Sequence, residues 1–298
     1  MLANQNEQIA TQNEQIATQN EQIATLEGHT KRVCCLAIHE NKLYSGSADN
    51  TILVWNTETH EQIATLRGHD KCVNILTIHE NKLYSGSLDN TIRIWNTENH
   101  KLIECLQSPD VMVNCLTVYE NKIYVGSWGE PVRIWDTETY KVIASLRMST
   151  GCEFCLTAHE NKLYSGNGMD STIRIWNTET YEQIATLEGH TKCVQCVSIH
   201  ENQLYSGSFD NTIRVWNTET HAEIATLRGH TDAVVHTTIH DNKLYSVSRD
   251  NTVRIWNTET HKEIAILEGY TDVEKCLTLH ENKMYYGSPD NNIRVWKV

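Results

Sequence analysis

His29, Ser45 and Asp49 carry the side chains of a hydrolase triad: a hydroxyl to attack, an imidazole to take its proton, and a carboxylate to orient the imidazole. The same three recur as His69, Ser85, Asp89, as His190, Ser206, Asp210, and as His230, Ser246, Asp250. A nucleophile is needed once, so fourfold recurrence points to a structural part. Cys152-Glu-Phe-Cys155 and Cys193-Val-Gln-Cys196 imitate a pair of zinc knuckles. Cysteines three apart on an extended chain face opposite sides, so the imitation fails on geometry. The 15 histidines fall at matching places in a repeat, which separates them instead of clustering them. No Gly-rich phosphate loop opens a helix. We therefore expect no catalytic residues, no metal and no cofactor: the chain is not an enzyme.

The elements that must position these residues are set by repetition. Trp55, Trp95, Trp135, Trp176, Trp216, Trp256 and Trp296 anchor seven copies of a unit of about forty residues, a period that marks an array of supersecondary units. In the first copy, residues 22–26, 33–39, 42–47 and 51–56 are short, rich in β-branched and aromatic residues, and roughly alternating. That pattern predicts four strands joined by short polar turns, with no room left for a helix. The expected fold class is all-β: a seven-bladed β-propeller of four-stranded antiparallel blades.

Gly28-His29, Ser45, Asp49 and Trp55-Asn56, repeated in register over residues 21–298, resemble the WD-repeat (WD40) family, although only Trp135-Asp136 keeps the literal dipeptide. The resemblance implies that His29, Ser45, Asp49 and Trp55 form a buried hydrogen-bonded tetrad, as do the three sets above together with Trp95, Trp216 and Trp256. It also implies a register offset, in which the first strand of each copy is the outer strand of the preceding blade. Residues 22–26 would then close the ring against the last blade, leaving no open sheet edge there. The third copy departs most: Pro109, Val125 and Gly129-Glu130-Pro131 replace the tetrad histidine, the serine and Asp-Asn-Thr. The fourth has Ser149 for the histidine, and the seventh has Tyr270 and Tyr286 for the histidine and serine.

Two domains of unequal weight are expected: 1–20, a helical or disordered lead with a seven-residue repeat, and 21–298, the propeller. The formal charge is −13, which disfavours nucleic acid and anionic membrane as partners. The start lacks a basic region and an apolar run, so it reads as neither a secretion signal nor a membrane anchor. Of the ten cysteines, Cys35, Cys115, Cys155, Cys196 and Cys276 share one repeat position with Ile75 and His236. A shared slot suggests small packing residues and a reducing, cytoplasmic or nuclear setting.

Copies this similar differ informatively. The residue before the tetrad aspartate reads Ala48, Leu88, Trp128, Met169, Phe209, Arg249 and Pro289. The one after the inner-strand valine reads Cys34, Asn74, Asn114, Phe154, Gln195, Val235 and Lys275, and the one two before it includes Val111. All are expected at connections around the channel mouth. Leu88, Trp128, Met169 and Phe209 would make an apolar arc over blades two to five, the composition of a protein-binding hot spot, where drift would more often leave Ser, Asn or Lys. The expected function is a monomeric, non-catalytic scaffold binding a protein or peptide there, with Arg249, Asn74, Asn114, Phe154, Gln195 and Val111 around the arc. Two alternatives stand beside it. One is the substrate-recognition part of a kinase or ubiquitin-ligase assembly, since WD arrays of this look accompany kinase or F-box segments in some protists. The other is a recently amplified or engineered array without an evolved ligand.

Overall fold

The structure is a computed structural model that describes residues 21–108, 112–146, 153–268 and 276–298. The lead, Pro109, Val111, Ser149, Cys152, Tyr270 and Lys275 lie outside the described residues.

Blade one is the antiparallel sheet Val33–His39, Lys42–Ser47, Ile52–Asn56 and Gln62–Leu66, in that spatial order. Blades two to six repeat this order over 73–107, 113–146, 153–187, 194–227 and 234–268. The seventh takes Leu277–His280, Lys283–Gly287 and Ile293–Lys297 from the carboxyl-terminal end and Glu21–Leu26 from the other, with Thr25 opposite Arg294 and Leu26 opposite Ile293. The offset and the closure therefore hold. Strand limits differ from expectation by one residue at two places, Glu21 and Ile52.

Alternation explains the packing, because each sheet has two covered faces. One cluster joins Tyr44, Ile52 and Val54 of blade one to Val73, Leu83 and Trp95 of blade two, and every seam is built alike. The seam from blade seven to blade one sets Tyr285, Ile293 and Val295 against Val33, Leu43 and Trp55. Tyr285 Oη and Lys283 Nζ both donate to Thr57 O, at 3.3 and 2.8 Å. Tyr44 and Lys42 make the same two bonds to Thr97 O in blade two. The closing seam is thus bonded like an internal one.

Each inner strand of blades one to six bulges at its second residue, as between Val33 and Cys35. A bulge bends the strand and re-aims one side chain. Here it turns Cys34 and its counterparts toward the axis, where they help line a cavity.

Candidate functional site

The four full sets of His, Ser, Asp and Trp share one geometry. In blade one, His29 Nδ1 lies 2.8 Å from Asp49 Oδ2, and Nε2 lies 2.8 Å from Ser45 Oγ. Trp55 Nε1–H donates to the same Oγ at 2.9 Å. Blades two, five and six repeat these contacts within 0.1 Å. Ser45, Ser85, Ser206 and Ser246 are fully buried. A serine with no exposure whose oxygen already accepts from a tryptophan cannot meet a substrate, so this is a brace and not a triad. Burial opposes ionisation of Asp89, yet hydrogen bonds from Thr91, the Asp70 N–H and His69 outweigh it and hold the carboxyl down to about 2. Burial also lowers His69 and His230, against the pull of Asp89 and Asp250.

Where the histidine is replaced, the aspartate finds another partner. Asp170 pairs with Arg174 and Asp290 with Arg294, four residues on. In blades five and six the arginines at that position, Arg214 and Arg254, instead reach Glu223 and Glu263 on the outer strand. The outer-strand residue differs as well, Glu223 and Glu263 in blades five and six against Gln183 and Gln22 in blades four and seven, so each arginine takes the carboxylate that its blade offers.

The variable columns gather at one mouth of the channel. Hydrogen bonds tie the two sets of connections there: Ala48 N–H to Arg32 O, Leu88 N–H to Cys72 O, Phe209 N–H to Cys193 O and Arg249 N–H to Ala233 O. Cys34, Asn74, Asn114, Phe154, Gln195 and Val235 lie inside the first strand, not in the connections as expected, because the bulge carries them inward. With Arg32, Cys72 and Leu88 they line a cavity of about 370 Å³, whose wall also includes Leu36, Leu76, Leu116, Leu156 and Val197.

The arc itself is uneven. Trp128 is 54% exposed and Met169 71%, whereas Leu88 and Phe209 are half-buried. Phe209 packs on Ala233 and Val235 of the next blade, and the Arg249 guanidinium lies 4.9 Å from its ring centre. Trp128 owes its exposure to its turn. Ser127 pairs with Glu130, which leaves Trp128-Gly129 as a two-residue hairpin tip, and Gly129 takes φ 76° with open space around it. The left-handed region suits glycine, so losing Asp-Asn-Thr gives a tight tip in its place. The Trp128 indole leans edge-on against Phe154, centroids 5.8 Å apart at 79°. Asn74 Nδ2 is engaged by Val113 O and Gln195 Nε2 by Cys193 Sγ, so both amides are partly committed. The Trp128–Phe154 contact and the Asp–Arg exchange were not foreseen. The first needs the bulge to be known, and the second needs the arginine column to be compared with the histidine one.

These blades and braces define a WD-type propeller. The WD domain, G-beta repeat family matches residues 20–56, 60–96, 181–217 and 222–257, and the chain belongs to the WD-repeat β-propeller family. The four matched stretches are the copies with complete tetrads, so the braces and the family signature coincide. Among solved structures, the chain is similar to the computationally designed Ika8 protein, with TM-score 0.75 and 22% identity over 93% of this chain and 100% of that one. That likeness is one of fold. No curated protein matches the chain. WD propellers are typically non-enzymatic scaffolds for protein interaction. Among the described residues no helix is long and apolar enough to cross a membrane.

Proposed function

We propose that this propeller binds a protein or peptide segment at its channel mouth, with Trp128 as the anchor and blades two to five as the platform. The observation that carries the reading is an indole 54% exposed at a hairpin tip, braced by Phe154 beside the 370 Å³ cavity. A rigid aromatic held half out of water loses little entropy on binding and offers a large apolar face, as anchors in protein interfaces do. Met169, one blade on, adds an adaptable apolar contact. Asn114, Asn74, Gln195 and Arg249 supply polar groups for the rim, and the net charge of −13 favours a neutral or basic partner over nucleic acid or an anionic membrane. The buried thiols at the seams, such as Cys35 against Val73 of blade two, suit a reducing cytoplasmic or nuclear setting.

The test is selection from a random peptide library on the folded ring, followed by Trp128→Ala with Met169→Ala. Selected peptides should lose at least tenfold in affinity while Tm holds. The near-identity of the copies favours a second reading, an amplified or engineered array without a ligand, under which selection would enrich nothing that depends on these residues. A role as the substrate-recognition part of a larger kinase or ubiquitin-ligase assembly would use the same face.

A further inference from the structure

At the seam between blades one and two, the bulge residue of one inner strand meets the entry residue of the next. The same two positions elsewhere hold Phe154 beside Cys193, both within reach of Gly168, and in blade two Asn74 reaches across to Val113 O at 2.7 Å. At the first seam both positions are cysteine. Cys34 Sγ and Cys72 Sγ are 3.3 Å apart, each thiol half-buried at the rim of the cavity, with Arg32 also on its wall. A disulfide needs its sulfurs at about 2.05 Å, so closing the gap takes a movement of only about 1.3 Å.

We propose that Cys34 and Cys72 form an exchange-active dithiol, a modification site that reversibly bridges blades one and two by reaction with a low-molecular-weight disulfide. The Cys34 thiolate attacks one sulfur of the small disulfide, forming a mixed disulfide and releasing one small thiolate. Cys72, having lost its proton to solvent or to that thiolate, then attacks Cys34 Sγ. The mixed bond breaks, the second small thiol leaves, and the protein holds one Cys34–Cys72 bond. One disulfide is consumed and one is formed, so no further oxidant is required.

The surroundings assign the roles. The hydrogen bond from the Cys72 thiol and the positive charge of Arg32 together outweigh burial, lowering Cys34 to about 7, while the same contact pushes Cys72 up. The pair shares one proton, which makes Cys34 the attacking group and Cys72 the resolving one. Cys35 and Cys276 nearby are deeply buried and pushed up by burial, which keeps them out of the exchange. A bridge spanning 38 residues would join the first two blades at the channel mouth, and it stands whether or not a peptide docks there.

The experiment incubates the intact chain with glutathione disulfide, traps remaining thiols by alkylation, and maps the digest without reduction. The expected product is a Cys34–Cys72 cross-linked peptide that disappears on adding dithiothreitol. In Cys72→Ala, which removes the donor as well as the resolving sulfur, the reaction should stop at a glutathione adduct on Cys34, and the midpoint of Cys34 alkylation should move from near pH 7 toward the ordinary 9.0. At pH 7 its alkylation rate should fall on the order of tenfold. Mapping of the unmutated chain that shows both cysteines alkylated, adducts that never resolve, or a bridge through Cys105 or Cys193 would overturn the proposal without reference to any variant.

Discussion

Trp128 of blade three stands edge-on to Phe154 of blade four at 5.8 Å, although the two residues belong to different columns of the repeat and to different kinds of backbone, a hairpin tip and a strand bulge. The contact holds the indole at a fixed height over the channel mouth. An edge-to-face pair contributes about 0.5–1.5 kcal/mol beyond burial, so Phe154→Leu should cost the fold little while loosening the anchor. Trp128 fluorescence, taken as the difference from a Trp128→Ala ring because the seven anchor tryptophans also emit, would report this as a red shift and faster depolarisation at unchanged far-ultraviolet dichroism.

Ser85→Ala removes the oxygen shared by His69 Nε2 and Trp95 Nε1 and leaves buried polar groups unpaired. The expected cost is about 2–4 kcal/mol, read from denaturant unfolding. A cost under ~0.5 kcal/mol would mean that the brace is ornamental.

Acid should act on the same braces in two stages. Burial lowers His69 and His230 below the unfolded 6.5, so the unfolded chain binds protons first, and their contribution is present above 6.5 and fades as pH falls below it. The carboxyls of Asp89 and Asp250, held at about 2 against 3.8 unfolded, stabilise above 3.8 and lose that effect between there and about 2. Tm against pH should bend downward in both windows, and Asp89→Asn should flatten the lower one. A Tm that rises on acidification would contradict the assignment.

Leu26 and Leu66 each end an outer strand, 3% and 4% exposed, yet one strand is continuous with its blade and the other crosses from the opposite chain end. If the closing strand packs as the others do, Leu26→Ala and Leu66→Ala should each cost about 2–5 kcal/mol and agree to within ~1. A negligible cost at Leu26 alone would show that the ring is not closed there.

Most of the architecture was legible because seven tryptophans at a fixed period and four alternating stretches per period leave little else to build. The tetrad sets were legible through the resemblance to the WD-repeat pattern, which implies their bonding. What escaped lies between columns. The bulge recurs whether the position holds Cys34, Asn74, Phe154 or Val235, so residue type does not announce it, and the inward turn of Phe154, its meeting with Trp128, and the Cys34–Cys72 approach were hidden. Phe209 read as a rim residue because composition cannot tell an exposed phenylalanine from one tucked against Ala233 and Val235 beneath Arg249.

The most direct test of the central claim is titration calorimetry of a library-selected peptide against three rings: the unmutated chain, Trp128→Ala with Met169→Ala, and Glu58→Ala, an exposed turn residue at the far end of blade one. The account predicts at least a tenfold weakening in the double variant alone, with Tm kept. Equal affinity for all three rings, or loss only in Glu58→Ala, would contradict it.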